Sequence, residues 1–145
     1  MQISSKFTIG VHLLAVTKYC GEDEKVTSSF LAGSIGVNPV IVRNVMGRLK
    51  EAGLISSSQG RSGISLARPA EEISFYDVYK AVDCVKDDGL FHFHEHPNPE
   101  CPVGRNIHKA MDAKLERVQK VMEDELGKIT LADVMADIRG ELESE

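Results

Sequence analysis

The stretch from Thr27 to Arg68 constrains this chain more than any other, because three local signals in it must be satisfied together. Thr27 stands before Ser28-Ser29-Phe30-Leu31-Ala32-Gly33-Ser34 and places a hydroxyl at the N-cap of a short helix. Ile35-Gly36-Val37 then turns the chain, with Gly36 free to take the positive φ that a tight turn between helices often needs. Asn38-Pro39 opens a second helix: Asn caps it, and Pro at the first helical position gives up only a donor that would have no partner there. That helix is expected to run to about Ala52 and stop at Gly53. Val42, Val45, Met46 and Leu49 recur at helical spacing and define one buried face, leaving Arg43, Asn44, Gly47, Arg48 and Lys50 largely outside it. Next, Leu54-Ile55-Ser56-Ser57 and Ile64-Ser65-Leu66 read as short strands around the loop Gln59-Gly60-Arg61-Ser62-Gly63. Two short helices followed by such a hairpin describe a winged helix-turn-helix, whose outward basic and amide side chains suit a DNA groove. Arg61, at the wing tip, is placed to enter a minor groove or touch phosphate.

Charge supports this reading only when the chain is divided. Residues 1–70 carry eight Lys/Arg against four Asp/Glu, a net of +4, whereas residues 71–145 carry nine against eighteen, a net of −9. The basic half holds the helix-turn-helix, where phosphate neutralisation and counterion release would occur. The acidic half is expected to face away from DNA. The absence of tryptophan and the scarcity of aromatic residues make a stacking platform for single strands a poor fit. Three cysteines, an odd number, suit a reducing compartment better than a disulfide scaffold. No run is long enough to span a bilayer and no secretory leader is evident, so a cytoplasmic, nucleoid-associated protein is expected.

The remaining elements follow from caps and spacing. Ser4 or Ser5 caps a first helix to about Tyr19, with apolar residues around most of its circumference. Ser74 caps a helix from Phe75 to about Val85, and Lys86 to Cys101 forms a loop, with a short extended piece around Phe91 to Phe93. The longest helix runs from Pro102 to about Lys128. Its Ile107, Met111, Leu115, Val118 and Met122 are spaced like a coiled-coil seam and are the candidate dimer interface. Thr130 caps a last short helix with Leu131, Val134, Met135 and Ile138 on one face. The expected fold is mainly α with a small β-hairpin wing: a winged helix-turn-helix domain over 1–85, a sensing or connector loop over 86–101, and a dimerisation helix plus C-terminal helix over 102–145.

The loop carries the remaining chemistry. His92, His94 and His96, with Cys101 and His108 nearby, supply imidazole and thiolate of the kind zinc accepts. The triplet echoes a run found in metallo-hydrolases, which need a larger two-sheet scaffold that this chain lacks. No metal is therefore assigned, and the simpler reading is a polar loop whose Phe91 or Phe93 plugs into the core. No phosphate loop, nucleophile elbow or marked carboxylate pair is present, so no enzyme is expected. Cys101 sits at or next to the N-cap of the long helix, where free amide donors and the positive end of the helix dipole converge. It is the sensing candidate, and should it not serve, the loop from Leu90 to Pro99 is a candidate small-molecule pocket.

Taken together, Leu31, Ala32, Gly36, Val37, Val42, Arg48-Leu49, Ala52-Gly53-Leu54-Ile55, Gly60-Arg61-Ser62-Gly63 and Ile64-Ser65-Leu66-Ala67 resemble the Rrf-two family of winged-helix transcriptional regulators. That family includes the iron–sulfur cluster assembly regulator and the cysteine-metabolism repressor. The likeness extends over the Ser74–Val82 helix and the long helix entered through Cys101-Pro102-Val103-Gly104. It implies a dimer with crossed long helices, a palindromic operator and repressor-type function. By residue match it places Asn38, Arg43 and Asn44 near base edges and Arg61 on the wing. Cluster-binding members carry three cysteines close together before the long helix. Here Cys101 stands alone there, with Cys84 on the preceding helix and Cys20 far away, so no iron–sulfur cluster is expected. The candidate DNA-contacting residues are thus Ser28, Asn38, Pro39, Arg43, Asn44, Arg48, Lys50 and Arg61. The expected partners are double-stranded DNA, a second copy of the chain, and a small-molecule or thiol-modifying effector. A protein-interaction module built on the same topology is the alternative, and salt-sensitive binding to duplex DNA separates the two.

Overall fold

A computed structural model describes residues 3–21, 23–57, 63–83 and 89–145. The elements are α1 (Lys6–Cys20), α2 (Ser28–Ile35), α3 (Pro39–Glu51), β1 (Ile55–Ser57), β2 (Ile64–Leu66), a 3-10 turn (Ala70–Glu72), α4 (Phe75–Ala81), α5 (Pro102–Leu126) and α6 (Leu131–Glu143). The mainly helical fold with a hairpin wing is as the sequence implies.

Local signals account for most of the boundaries. The Thr27 hydroxyl accepts from the Phe30 N–H at 3.1 Å and Asn38 Oδ1 from the Val40 N–H at 2.8 Å, starting α2 and α3. Gly36 ends α2 with φ of 80°, a conformation that costs an L side chain dearly. Ser74 and Thr130 each form a reciprocal capping box, with Asp77 and Asp133 respectively.

The core is assembled around α1, whose Leu13 and Leu14 are fully buried. Val42, Val45 and Leu49 of α3 pack there with Leu31, Leu54, Ile55, Ile73 and Val78. β1 and β2 pair antiparallel, with Ile55 opposite Leu66 and Ser57 opposite Ile64. Leu54 lies before β1 rather than in it. Its N–H returns to the Leu49 carbonyl, closing α3, while its carbonyl accepts from Ala67.

Three features go beyond what spacing conveys. In α6, Leu131 and Met135 are buried in the same core as α1. Backbone bonds from Leu131 N–H to Ile73 O and from Phe75 N–H to Ile129 O, both 2.8 Å, tie its start to that of α4. Helix α4 ends at Ala81, short of Val85, because Asp83 takes a left-handed conformation that turns the chain away. Residues 84 and 85 lie outside the described segments. Residues 89–101 form no strand, and Phe91 and Phe93 are half-buried outside the main core. Together with Leu115 these two rings line a cleft on α5 instead.

Candidate nucleic-acid interface and the adjoining loop

Helix α3 divides its residues sharply. Val42, Val45 and Leu49 are fully buried, while Arg43, Asn44, Gly47 and Lys50 face solvent and Arg48 is half-buried. This segregation leaves Arg43 and Asn44 adjacent on an outer face that none of the described residues covers. Their chemistry suits guanine and adenine edges. Asn38 is exposed, but its Oδ1 is engaged in the cap, so its Nδ2 hydrogens are what remain to meet a base. Pro39 fixes the first turn and is half-buried, as is Ser28 in the first turn of α2. Lys50 reaches the wing, donating to Ser57 Oγ at 2.5 Å, and so joins the end of the reading helix to β1. Arg61 and the wing tip, residues 58–62, lie outside the described residues.

The sequence reading passed over two residues of this face. Val40 and Ile41, in the first turn of α3, are 61% and 42% exposed. A helix in water does not favour this, and the thymine methyl of a major groove is the natural apolar partner for such side chains. The signal was legible: neither residue belongs to the stripe defined by Val42, Val45 and Leu49.

Among the described residues the Arg105 guanidinium donates to the Pro99 carbonyl at 3.3 Å, and the loop before α5 is fastened to that helix at three further places. Leu90 N–H donates to Gln119 Oε1 at 2.7 Å. Further on, His108 bridges, its Nδ1 lying 3.1 Å from both Asp112 oxygens and its Nε2 2.8 Å from the His94 carbonyl. Both partners can only accept, so the pair of bonds is complete only when both ring nitrogens carry hydrogen. The hydrogen bond to Asp112 accordingly raises the His108 pKa, and the His94 carbonyl adds to the effect. At the third place Cys101 caps α5, its Sγ accepting from the Gly104 N–H at 3.4 Å. A Cβ on Gly104 would stand 2.7 Å from the Asn98 carbonyl, so only glycine lets the loop close on the helix there.

The histidines do not converge. The His94 ring lies 5.1 Å from that of His108, His96 stands 3.8 Å from the exposed Glu95 carboxylate, and His92 is exposed. Among the described residues, no three His, Cys, Asp or Glu side chains gather into a metal site. Cys20, at the end of α1, has its thiol pKa raised by burial and by Glu24. Cys84 lies outside the described segments.

Helix α5 is unlike every other long element. None of its 25 residues is buried. Val103, Val118 and Val121 are more than half exposed, and Ile107, Met111, Leu115 and Met122 are half-buried. The seam expected from sequence is thus an apolar stripe that the described residues of a single chain cover only in part.

A family model described as "Rrf2: Iron-dependent Transcriptional regulator" matches residues 3–137. The chain belongs to the Rrf2 family. It is therefore a transcriptional regulator with a DNA-binding winged helix, and not an enzyme. A Bacillus subtilis protein named as an HTH-type transcriptional regulator, YwnA, is 41% identical over 133 residues, covering 92% of this chain and 96% of that one. A crystal structure described as a DNA-binding protein superposes with a TM-score of 0.72 at 36% identity, covering 90% of this chain and 99% of the other. The oxidised form of CymR from Staphylococcus aureus shares the fold, with a TM-score of 0.68 at 24% identity over 93% and 96% of the two chains. Iron appears in the description of this Rrf2 model, yet the donors described here do not fit an iron centre. Cys101 Sγ is turned onto Gly104, Cys20 packs against the core at the far end of α1, and among the described residues no three His, Cys, Asp or Glu side chains gather around either. Among the described residues no helix is long and apolar enough to cross a membrane.

Proposed function

We propose that this Rrf2 regulator is a repressor that binds an inverted-repeat operator as a two-fold symmetric homodimer joined along α5. The single observation that carries the reading is a 25-residue amphipathic helix with no buried residue. Burying a large apolar side chain is worth about 1.5–3 kcal/mol, so a second copy of the stripe is a strong inducement to pair. Pairing sets two α3 helices at a fixed separation, and the operator half-sites should then be centred roughly 34–36 Å apart, or a multiple of that.

In this reading Arg43, Asn44, Val40 and the Asn38 amide read bases, Arg48 and Arg61 meet phosphate or groove, and Lys50 steadies the wing. Ser28 and Pro39 position the two helices against the backbone. The protein acts at the nucleoid without an iron–sulfur cluster or other cofactor. Cys101 is the sensing candidate: modifying its sulfur removes the acceptor for Gly104 N–H where the glycine lets the loop close on α5. Operator selection from genomic fragments, followed by anisotropy titration and sedimentation, tests the reading. A monomer at micromolar concentration, or binding without sequence preference or salt dependence, would overturn it. A salt-insensitive protein that captures other proteins but no duplex would favour the interaction-module alternative. For the thiol, wild type and Cys101→Ser are compared on DNA before and after mild oxidant, and an equal response of both removes Cys101 from the sensing role.

A further inference from the structure

Between its fastening points at Leu90 and His94, the loop stands off α5 and leaves a cleft of about 400 Å³. Its lining is chemically divided. Phe91, Phe93 and Leu115 form an apolar floor, and Glu116, Gln119, Lys120 and Glu123 stand around it. The volume falls within the range of sites for small organic ligands, roughly 300–1,000 Å³. The construction is not that of a loosely lying loop. Gln119 Oε1 is spent on Leu90 N–H, which turns its amide hydrogens loose and holds one wall in place. Phe93 is seated edge-on against the His108 ring at the other end, 6.0 Å between centroids.

Charge decides the class of ligand. Lys120 Nζ lies 3.4 Å from Asp124, a residue outside the cleft. Among the described residues no cation pairs with Glu116 or Glu123. Two carboxylates without a cation partner and one lysine already paired with Asp124 thus border a floor that carries two phenylalanine rings, a net negative lining that attracts an organic cation and disfavours an anion. We propose that this cleft is an effector site for a small organic cation with an aromatic or branched apolar body. Such a ligand would bear on Leu115, which the cleft shares with the apolar stripe of α5, and so would reach the dimer seam from its flank. This last consequence rests on the dimer reading given above, while the binding itself does not.

Tetraphenylphosphonium and tetraphenylborate have nearly the same shape and opposite charge, so they separate the apolar contribution from the electrostatic one. Equilibrium dialysis of the full chain, without DNA, should show saturable binding of the phosphonium, at least about tenfold tighter than of the borate. Replacing Glu116→Gln and Glu123→Gln together, neither of them paired with a cation among the described residues, should erase that preference while circular dichroism stays unchanged. Lys120→Gln should leave phosphonium binding equal or tighter. Equal binding of the two ions, no saturation up to about 1 mM, or a double variant that keeps full charge preference would each overturn the proposal. Phosphonium binding by a protein that ignores DNA would overturn the repressor reading and leave this site standing.

Discussion

Helices α3 and α5 are both strongly amphipathic, yet they dispose of their apolar faces in opposite ways. In α3 the apolar residues are buried at home, with Val42, Val45 and Leu49 at 0% exposure, and the polar face is left free. In α5 no residue is buried, and much of the apolar stripe itself stays accessible. The same sequence pattern therefore serves two ends. A short helix that satisfies its own domain exposes chemistry for a charged, grooved partner, and a long one that exceeds its domain exposes surface for an apolar partner.

The largest effect should come from charging the free stripe. Val118→Glu places a carboxylate where the second α5 would lie, and dimers should fall to monomers in sedimentation, with operator binding lost although α3 is intact. A dimer that survives would break the contrast at its root. Next in size is the buried stripe. Leu49→Ala should lower unfolding stability by about 2–5 kcal/mol, as a core cavity does, whereas Val121→Ala, on a site 62% exposed, should change it by less than about 0.5 kcal/mol. Chemical denaturation of both variants under monomeric conditions checks this.

Smaller losses belong to the polar face. Arg43→Ala and Asn44→Ala should each cost about 1–3 kcal/mol on the preferred operator and relax preference at one base pair. Arg48→Ala should weaken all sequences evenly and reduce the salt slope by about one. Val40→Ala should cost less and lower the preference for thymine at one position, read by competition with uracil-substituted duplexes that lack the methyl.

The subtlest effect concerns the flank of α5. The His108 pKa is raised by Asp112 first and by the His94 carbonyl second, with Phe93 and the His94 ring completing its surroundings. A folded value above the unfolded one means that the bridge contributes fully below the ordinary histidine range. Its contribution is lost as pH rises through the folded value. The His108 ring signal in NMR should therefore titrate later than that of a free histidine. Above that point the amides of residues 93–96 should exchange faster, and His108→Gln should flatten the dependence.

How much of this could be read beforehand differs between the same two regions. Around α3, caps at Thr27 and Asn38, the turn at Gly36 and one apolar period determine everything within a few residues of one another, so the pattern and the fold coincide. Around α5 the helix and its stripe were equally legible, since Ile107 to Met122 repeat without interruption. The loop's fastening was not. Leu90 meets Gln119 and His94 meets His108 across 29 and 14 positions, through single side chains that obey no period. The place of α6 was hidden for a related reason: its apolar stripe shows that it packs, while only tertiary geometry shows that it packs beside α1.

The joint at Ser74 and Thr130 has a mechanical consequence. Two capping boxes face each other across a short antiparallel bridge, so the C-terminal end of α5 enters a clasp that belongs to the core. Its opposite end is held through hydrogen bonds of the loop. A rod of 25 residues, about 37 Å long, is thereby hinged at one end and tethered by releasable links at the other. Swinging it by about 3° would carry the tethered end roughly 2 Å while the clasped end stays put, comparable to the helix shifts that switch subunit interfaces. On the homodimer reading the clasp would serve as the fulcrum, and the arm's length would turn a hydrogen bond lost near Cys101 or His108 into a displacement of one subunit against the other.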